Sequence, residues 1–214
     1  LNAVSIIPPG ENQAGFSLSF FARNTAFIFV GMIYFFTPYS FEKKLFEAYD
    51  KYMSLIGEQD WACFLDGDTA FLRSDFGFRL KEYTERYPDT GMFICYASRC
   101  HYHFQQVNGG ADMNDPSILR HKDICDDIDA KYRGQVQDVH RRAAGHLLMI
   151  RKSTWSRIRG TIILRTVNKR ILGVDTQISY SLLKNGFSIR LMRGIYILHY
   201  LRMKEGFDFK GHLL

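Results

Sequence analysis

A chain of 214 residues, 46% hydrophobic and 15% aromatic, can bury one sizeable core and is too apolar to remain disordered. Its net charge of +6 favours phosphate-bearing or polyanionic partners, or an anionic membrane surface. The longest apolar run, Ala26–Phe36, is shorter than the roughly 20 residues of a membrane span. An early Glu11 and no small-residue cleavage site after that run argue against a signal peptide. The expected location is cytoplasmic, with peripheral membrane contact as an option. Cys63, Cys95, Cys100 and Cys125 form no CxxC pair, which fits a reducing compartment.

Val4–Ile7 reads as a strand stopped by Pro8-Pro9, and residues 1–31 as an N-terminal appendage to a single domain spanning 1–214. Ile33–Thr37 is apolar on both faces, as buried parallel strands are. Ser40 is a suitable N-cap for a helix over Phe41–Ile56, whose apolar residues recur at spacings of three and four. Trp61–Leu65 is the next strand. The pattern predicts a helix from Ser74 to Tyr87, a strand at Gly91–Tyr96 and a polar, aromatic loop over Ser98–Pro116. A charged helix follows at Ser117–Tyr132, then a strand at Leu147–Ile150, a short helix at Lys152–Ile158 and a basic loop at Arg159–Leu172. A helix over Asp175–Asn185 precedes two short strands, Phe187–Met192 and Ile195–Tyr200, separated by Arg193-Gly194. Alternating strands and helices predict an α/β fold with a mainly parallel sheet flanked by helices.

The chemistry concentrates at strand ends, where ligands bind in such sheets. The Trp61–Leu65 strand stops at Asp66-Gly67-Asp68. Paired carboxylates there suit a divalent cation held against a diphosphate, while Asp-Gly is also a common turn. His199, at the end of the last strand, fits both a third metal ligand and a half-buried histidine bonded to backbone. Asp175 fits both a general base and a helix cap. Cys95, Cys100, His101 and His103 match no zinc spacing. P-loop, G-x-G-x-x-G and G-x-S-x-G signatures are absent. His140-Arg141-Arg142 opens a basic second half that could contact diphosphate, an anionic acceptor, nucleic acid or a membrane, or stay a solvated face. It lacks an RNA-reading or helix-turn-helix pattern, so nucleic acid is not expected as a partner.

Taken in order, Asp66-Gly67-Asp68 at a strand end, the segment from Gly145-His146 to Trp155, Gly173-Val174-Asp175 before a helix, and the late His199 resemble a small family 2 glycosyltransferase of the GT-A fold. The resemblance spans about Met32–Arg202. It implies a Rossmann-like domain that moves a sugar from a nucleotide-sugar donor to a hydroxyl of a glycan, lipid-linked or other acceptor, with inversion. It also implies a divalent ion, manganese or magnesium. Asp66 and Asp68 match the residues that contact ion and donor, and His199 the histidine that completes the metal site. Asp175 matches the catalytic base, and Gly145-His146 the turn lining the acceptor side. Thr37, Pro38 and Tyr39 match the loop touching the nucleoside. Two other readings stay open: a non-catalytic nucleotide- or glycan-binding module, suggested by Thr176-Gln177 after the acid, and a nucleotidyltransferase.

Overall fold

The computed structural model describes residues 31–40, 44–110, 115–162, 166–167, 170–171 and 173–200. The expected Val4–Ile7 strand, the first residues of the Phe41 helix and the C-terminal tail lie outside them. Strand β1 (Ile33–Phe36), helix α1 (Leu45–Met53) and strand β2 (Trp61–Leu65) form the expected strand–helix–strand order, but β1, at the edge of the described sheet, is half-exposed rather than buried on both faces, with Tyr34 and Phe35 on the surface. β1 and β2 pair in parallel, with Ile33 opposite Trp61 and Phe36 opposite Phe64. Helix α1 begins at Leu45 with Lys44 in its N-cap position, so Ser40, whose Oγ accepts the Lys44 N–H at 2.8 Å, lies before the cap it was expected to form. The helix ends at Met53, short of the expected Ile56, and the Asp60 carboxylate accepts the backbone N–H groups of Gly57 and Met32. That single side chain fixes the turn into β2 and the start of β1.

The chain continues through β3 (Thr69–Ala70), α2 (Phe76–Arg86), β4 (Met92–Ala97), α3 (Ile118–Tyr132), β5 (Val136–Asp138) and β6 (Leu147–Arg151). Then come α4 (Lys152–Ile158), the small β7 (Thr166–Val167) and β8 (Arg170–Ile171) pair, α5 (Val174–Lys184) and β9 (Ile189–His199). Asp75, paired with Arg73 and Arg79, occupies the N-cap position of α2, where Ser74 was expected. Ser117 caps α3 as expected, accepting from Arg120 N.

The fold is α/β, but the sheet is mixed rather than mainly parallel. Its order among the described residues is β1-β2-β6-β4-β9-β3, with β5 also on β9. β1/β2 and β4/β9 run in parallel; β6 is antiparallel to both β2 and β4, and β3 and β5 are antiparallel to β9. An apolar strand buried on both faces carries no mark of its direction, so the Leu147–Ile150 run could not reveal the reversal. The reversal has a functional consequence: Leu147 pairs with Leu65, so β6 starts at the end where β2 stops. Gly145-His146 is thereby delivered next to Asp66.

Alternate residues of each strand feed opposite faces. Ala62, Phe64, Ile94, Leu148 and Ile150 pack under Tyr49 and Met53 of α1, Trp155 and Ile158 of α4, and Ile178 and Leu182 of α5. Trp61, Cys63, Phe93, Cys95, Leu147 and Met149 pack under Phe76, Leu80 and Tyr83 of α2. Ile124, Cys125 and Ile128 place α3 on β9 through Tyr196. Each fully buried large side chain contributes roughly 1.5–3 kcal/mol of hydrophobic stabilisation, which makes the sheet a rigid platform for its strand ends. The four cysteines are buried and unpaired.

The two short strands expected at 187–200 are one strand, β9, interrupted by a bulge. Its pairing with β4 jumps from Cys95–Met192 to Tyr96–Tyr196. Inside the bulge, Arg193 N–H donates to Gln135 O at 2.9 Å and Gly194 N–H to Tyr83 Oη at 3.0 Å. A Cβ on Gly194 would lie 2.9 Å from Arg133 Cα and 3.0 Å from Tyr132 O, so the site needs glycine for close backbone approach. Among the described residues no helix is long and apolar enough to cross a membrane.

Candidate active site

β2 stops at Asp66 because the chain turns at once. Thr69 N–H and Oγ1–H both donate to Asp66 O, at 3.3 and 2.8 Å. The far side of the turn is tied to β9: Tyr200 N–H donates to Asp68 O at 2.9 Å, and Thr69 pairs with His199. Asp66-Gly67-Asp68 is therefore a turn, and it is also a pair of carboxylates aimed at His199. His199 Nε2 lies 3.3 Å from Asp68 Oδ1 and 3.7 Å from Asp66 Oδ2. Candidate ligand atoms of the three residues all lie within 4.8 Å of one another. Among the described residues no other group of three His, Cys, Asp or Glu side chains converges in this way, and Cys95, Cys100, His101 and His103 do not.

The His199 ring is buried and oriented from behind. Its Nδ1 faces the Arg99 carbonyl at 2.7 Å, so Nδ1 carries the proton and donates. Its backbone is latched to Ser98 Oγ, which accepts His199 N–H at 2.9 Å. Nε2 is buried without a hydrogen-bond partner and faces the two carboxylates. That nitrogen and the two carboxylates lie within 4.8 Å of one another, a donor arrangement that a cation between them would complete. The donor set of one imidazole nitrogen and two carboxylates fits a divalent ion. Both carboxylates are about half exposed, so the site opens to solvent on the side away from His199.

The Asp66 carboxyl is held above the usual carboxylate range, mainly by its packed surroundings. His199 opposes this shift, and the nearby charges of Asp68 and Asp175 add to it. Asp175 belongs to the same constellation. It lies in the first turn of α5, whose N-cap position is taken by Gly173. Burial raises its carboxyl, and the backbone N–H groups of Thr176 and Gly145 offset part of that rise. Gly145 and Gly173 make room for it: a Cβ on Gly145 would lie 3.1 Å from Asp175 Cβ, and one on Gly173 would lie 2.3 Å from Asp175 Oδ1. Tyr49, buried under the sheet end, feels both Asp66 and Asp175, and its hydroxyl is held above its ordinary range mainly by burial.

Gly145 lies against Asp175, but the His146 side chain is 1% exposed and faces inward. Its ring packs against His199, with centroids 5.6 Å apart, and its Nε2 donates to Cys95 O at 3.2 Å. Burial and the neighbouring His199 push its pKa down to about 4, so it stays neutral. Its carbonyl accepts Asp66 N–H at 3.3 Å. At the end of β1, Thr37 flanks the acidic turn: its Cγ2 lies 3.6 Å from the Cβ position of Gly67. Pro38 and Tyr39 continue outward from it, and Tyr39 is 76% exposed.

The sequence reading missed Gln105. This residue is fully buried, accepts Ala144 N–H at 2.8 Å and donates to Cys95 O at 3.3 Å, joining the 98–110 loop to the Gly145 turn. A glutamine in a polar loop gives no signal of that role. No protein-family model, curated protein or solved structure matches the chain.

Proposed function

We propose that this protein is a metal-dependent glycosyltransferase that moves a sugar from a nucleotide-sugar donor to an acceptor hydroxyl, in the manner of the GT-A, family 2 enzymes its motifs resemble. The observation that carries this reading is the convergence of Asp66 and Asp68 with the distant His199, beside the raised carboxyl of Asp175. Asp66, Asp68 and His199 would hold manganese or magnesium. When bound, such an ion supplies neutralisation of the departing diphosphate. Asp175 accepts the acceptor hydroxyl proton as the new bond to the anomeric carbon forms and the bond to the diphosphate oxygen breaks. A carboxylate with raised proton affinity is the better base for this task. Attack from the side opposite the leaving group inverts the anomeric centre. Thr37, Pro38 and Tyr39 are assigned to the nucleoside side.

The test is a panel of nucleotide sugars with manganese, read as nucleotide release and as mass gain on candidate acceptors. The proposal predicts release that depends on one donor and on the metal, and that falls to background in Asp68→Ala. Release equal in the presence of excess chelator, or from Asp68→Ala at the wild-type rate, would contradict it.

A further inference from the structure

Next to Asp175 two loops meet in a feature that the transfer chemistry itself does not use. The 98–110 loop presents Tyr102 and Phe104, whose rings stack with centroids 5.9 Å apart and planes within 22°. The loop before β6 lays an arginine over each: the Arg142 guanidinium carbon is 5.3 Å from the Tyr102 centroid, and that of Arg141 is 5.4 Å from the Phe104 centroid. Both rings are part-buried and both arginines exposed. Neither arginine has a carboxylate within ion-pair distance among the described residues, whereas Arg73, Arg79, Arg159 and Arg190 are all paired. Gln105, locked beneath the platform, fixes one loop against the other through Ala144 N–H.

The platform is tied to the candidate base through the chain at Gly145 and by charge. Arg142 stands three positions before Gly145, which packs on the Asp175 side chain. Tyr102 follows Cys100, whose thiol feels the Asp175 charge, and the Arg142 charge in turn acts on Asp175. Guanidinium groups held in place by aromatic rings, with no carboxylate within ion-pair distance among the described residues, suit a carboxylate or phosphate.

We propose that Tyr102, Phe104, Arg141 and Arg142 form an acceptor subsite for a saccharide bearing an anionic group, either a uronate carboxylate or a sugar phosphate. This rests on the transferase reading, because it takes the Asp175 side as the acceptor side. The acceptor's anionic group lies on the guanidinium forks, its sugar ring packs beside the aromatic pair, and its free hydroxyl is directed to Asp175.

Binding of three probes to the full chain tests this by calorimetry: a glucuronate-terminated oligosaccharide, a hexose phosphate and a neutral glucose oligosaccharide. The expected result is at least about tenfold tighter binding of one or both anionic probes than of the neutral one, as a charge-assisted pair supplies. Which anionic probe wins distinguishes carboxylate from phosphate. The preference should vanish in R141Q/R142Q, with its melting temperature recorded as a check on folding, and should shrink in wild type as salt is raised. Equal binding of all three probes, no binding, or a preference that survives both R141Q/R142Q and high salt overturns the subsite. Manganese-dependent binding of uridine, guanosine, adenosine, cytidine and thymidine diphosphates by the wild type is titrated separately. Its absence alongside an arginine-dependent anionic preference counts against the transferase and leaves an anionic-glycan site.

Discussion

His199 Nε2 and Asp68 Oδ1 lie 3.3 Å apart, although one closes the last strand and the other lies in the turn after the second. The contact is built by the backbone. Asp68 O accepts Tyr200 N–H, Thr69 pairs with His199, and Arg99 O holds the far side of the ring. An imidazole nitrogen without a hydrogen-bond partner, facing two carboxylates, is a donor set that a divalent cation would complete, and the first predictions follow from that.

Manganese should stabilise the protein. A ligand at about 100 times its dissociation constant adds about 2.7 kcal/mol, worth about 5–10 °C in melting temperature for a chain of this size. Asp68→Ala and His199→Ala should lose that rise, measured by differential scanning fluorimetry in manganese and in chelator. An undiminished rise in both variants would place the metal elsewhere.

In chelator, Asp66→Asn should be more stable than wild type by a few degrees at neutral pH. The Asp66 carboxyl is raised in the fold, so its neutral form is favoured there. The stability it contributes is full below the unfolded carboxylate pKa and is lost as pH rises through the raised folded value. Melting curves from pH 4 to 8 should show the two proteins converging at the acid end. With manganese present the order should reverse.

Asp175→Asn should lower turnover about 10²–10⁴-fold with the donor dissociation constant little changed. The acidic limb of the wild-type rate profile should lie above the ordinary carboxylate range, because the Asp175 carboxyl is raised by burial and must be ionised to accept a proton. Single-turnover rates against pH check both. A variant within threefold of wild type would remove Asp175 from the chemistry.

Gly194→Ala should destabilise by about 1–3 kcal/mol, as overpacking does, because its Cβ would press on the Arg133 and Tyr132 backbone. Past the bulge β9 resumes its pairing with β4 and runs on to His199, which lies opposite Thr69. The manganese-induced rise in melting temperature should therefore shrink too. Urea midpoints with and without metal separate the two effects.

Much of this site was legible in the sequence because its signals are local. An apolar run stopping at Asp66-Gly67-Asp68 announces a strand end with two carboxylates, Ser117 announces the start of α3, and Lys152–Ile158 is the α4 helix as read. What escaped depends on distant partners. The direction of β6 is set by which end of β2 it meets, and apolar residues buried on both faces read alike in either direction. The β9 bulge depends on Tyr83 and Gln135, far away in the chain. The inward turn of His146 depends on Cys95 O and the His199 ring. Asp175, readable as a helix cap, leaves that position to Gly173.

The most direct test of the central claim is an anomalous diffraction map of crystals grown with manganese and the nucleoside diphosphate of the donor that the panel selects. One peak is expected within bonding distance, about 2–2.6 Å, of the Asp68 carboxylate and His199 Nε2, with diphosphate oxygens on its open side. A manganese peak elsewhere, or none at this site at saturating metal, would contradict the account and leave Asp66-Gly67-Asp68 a turn.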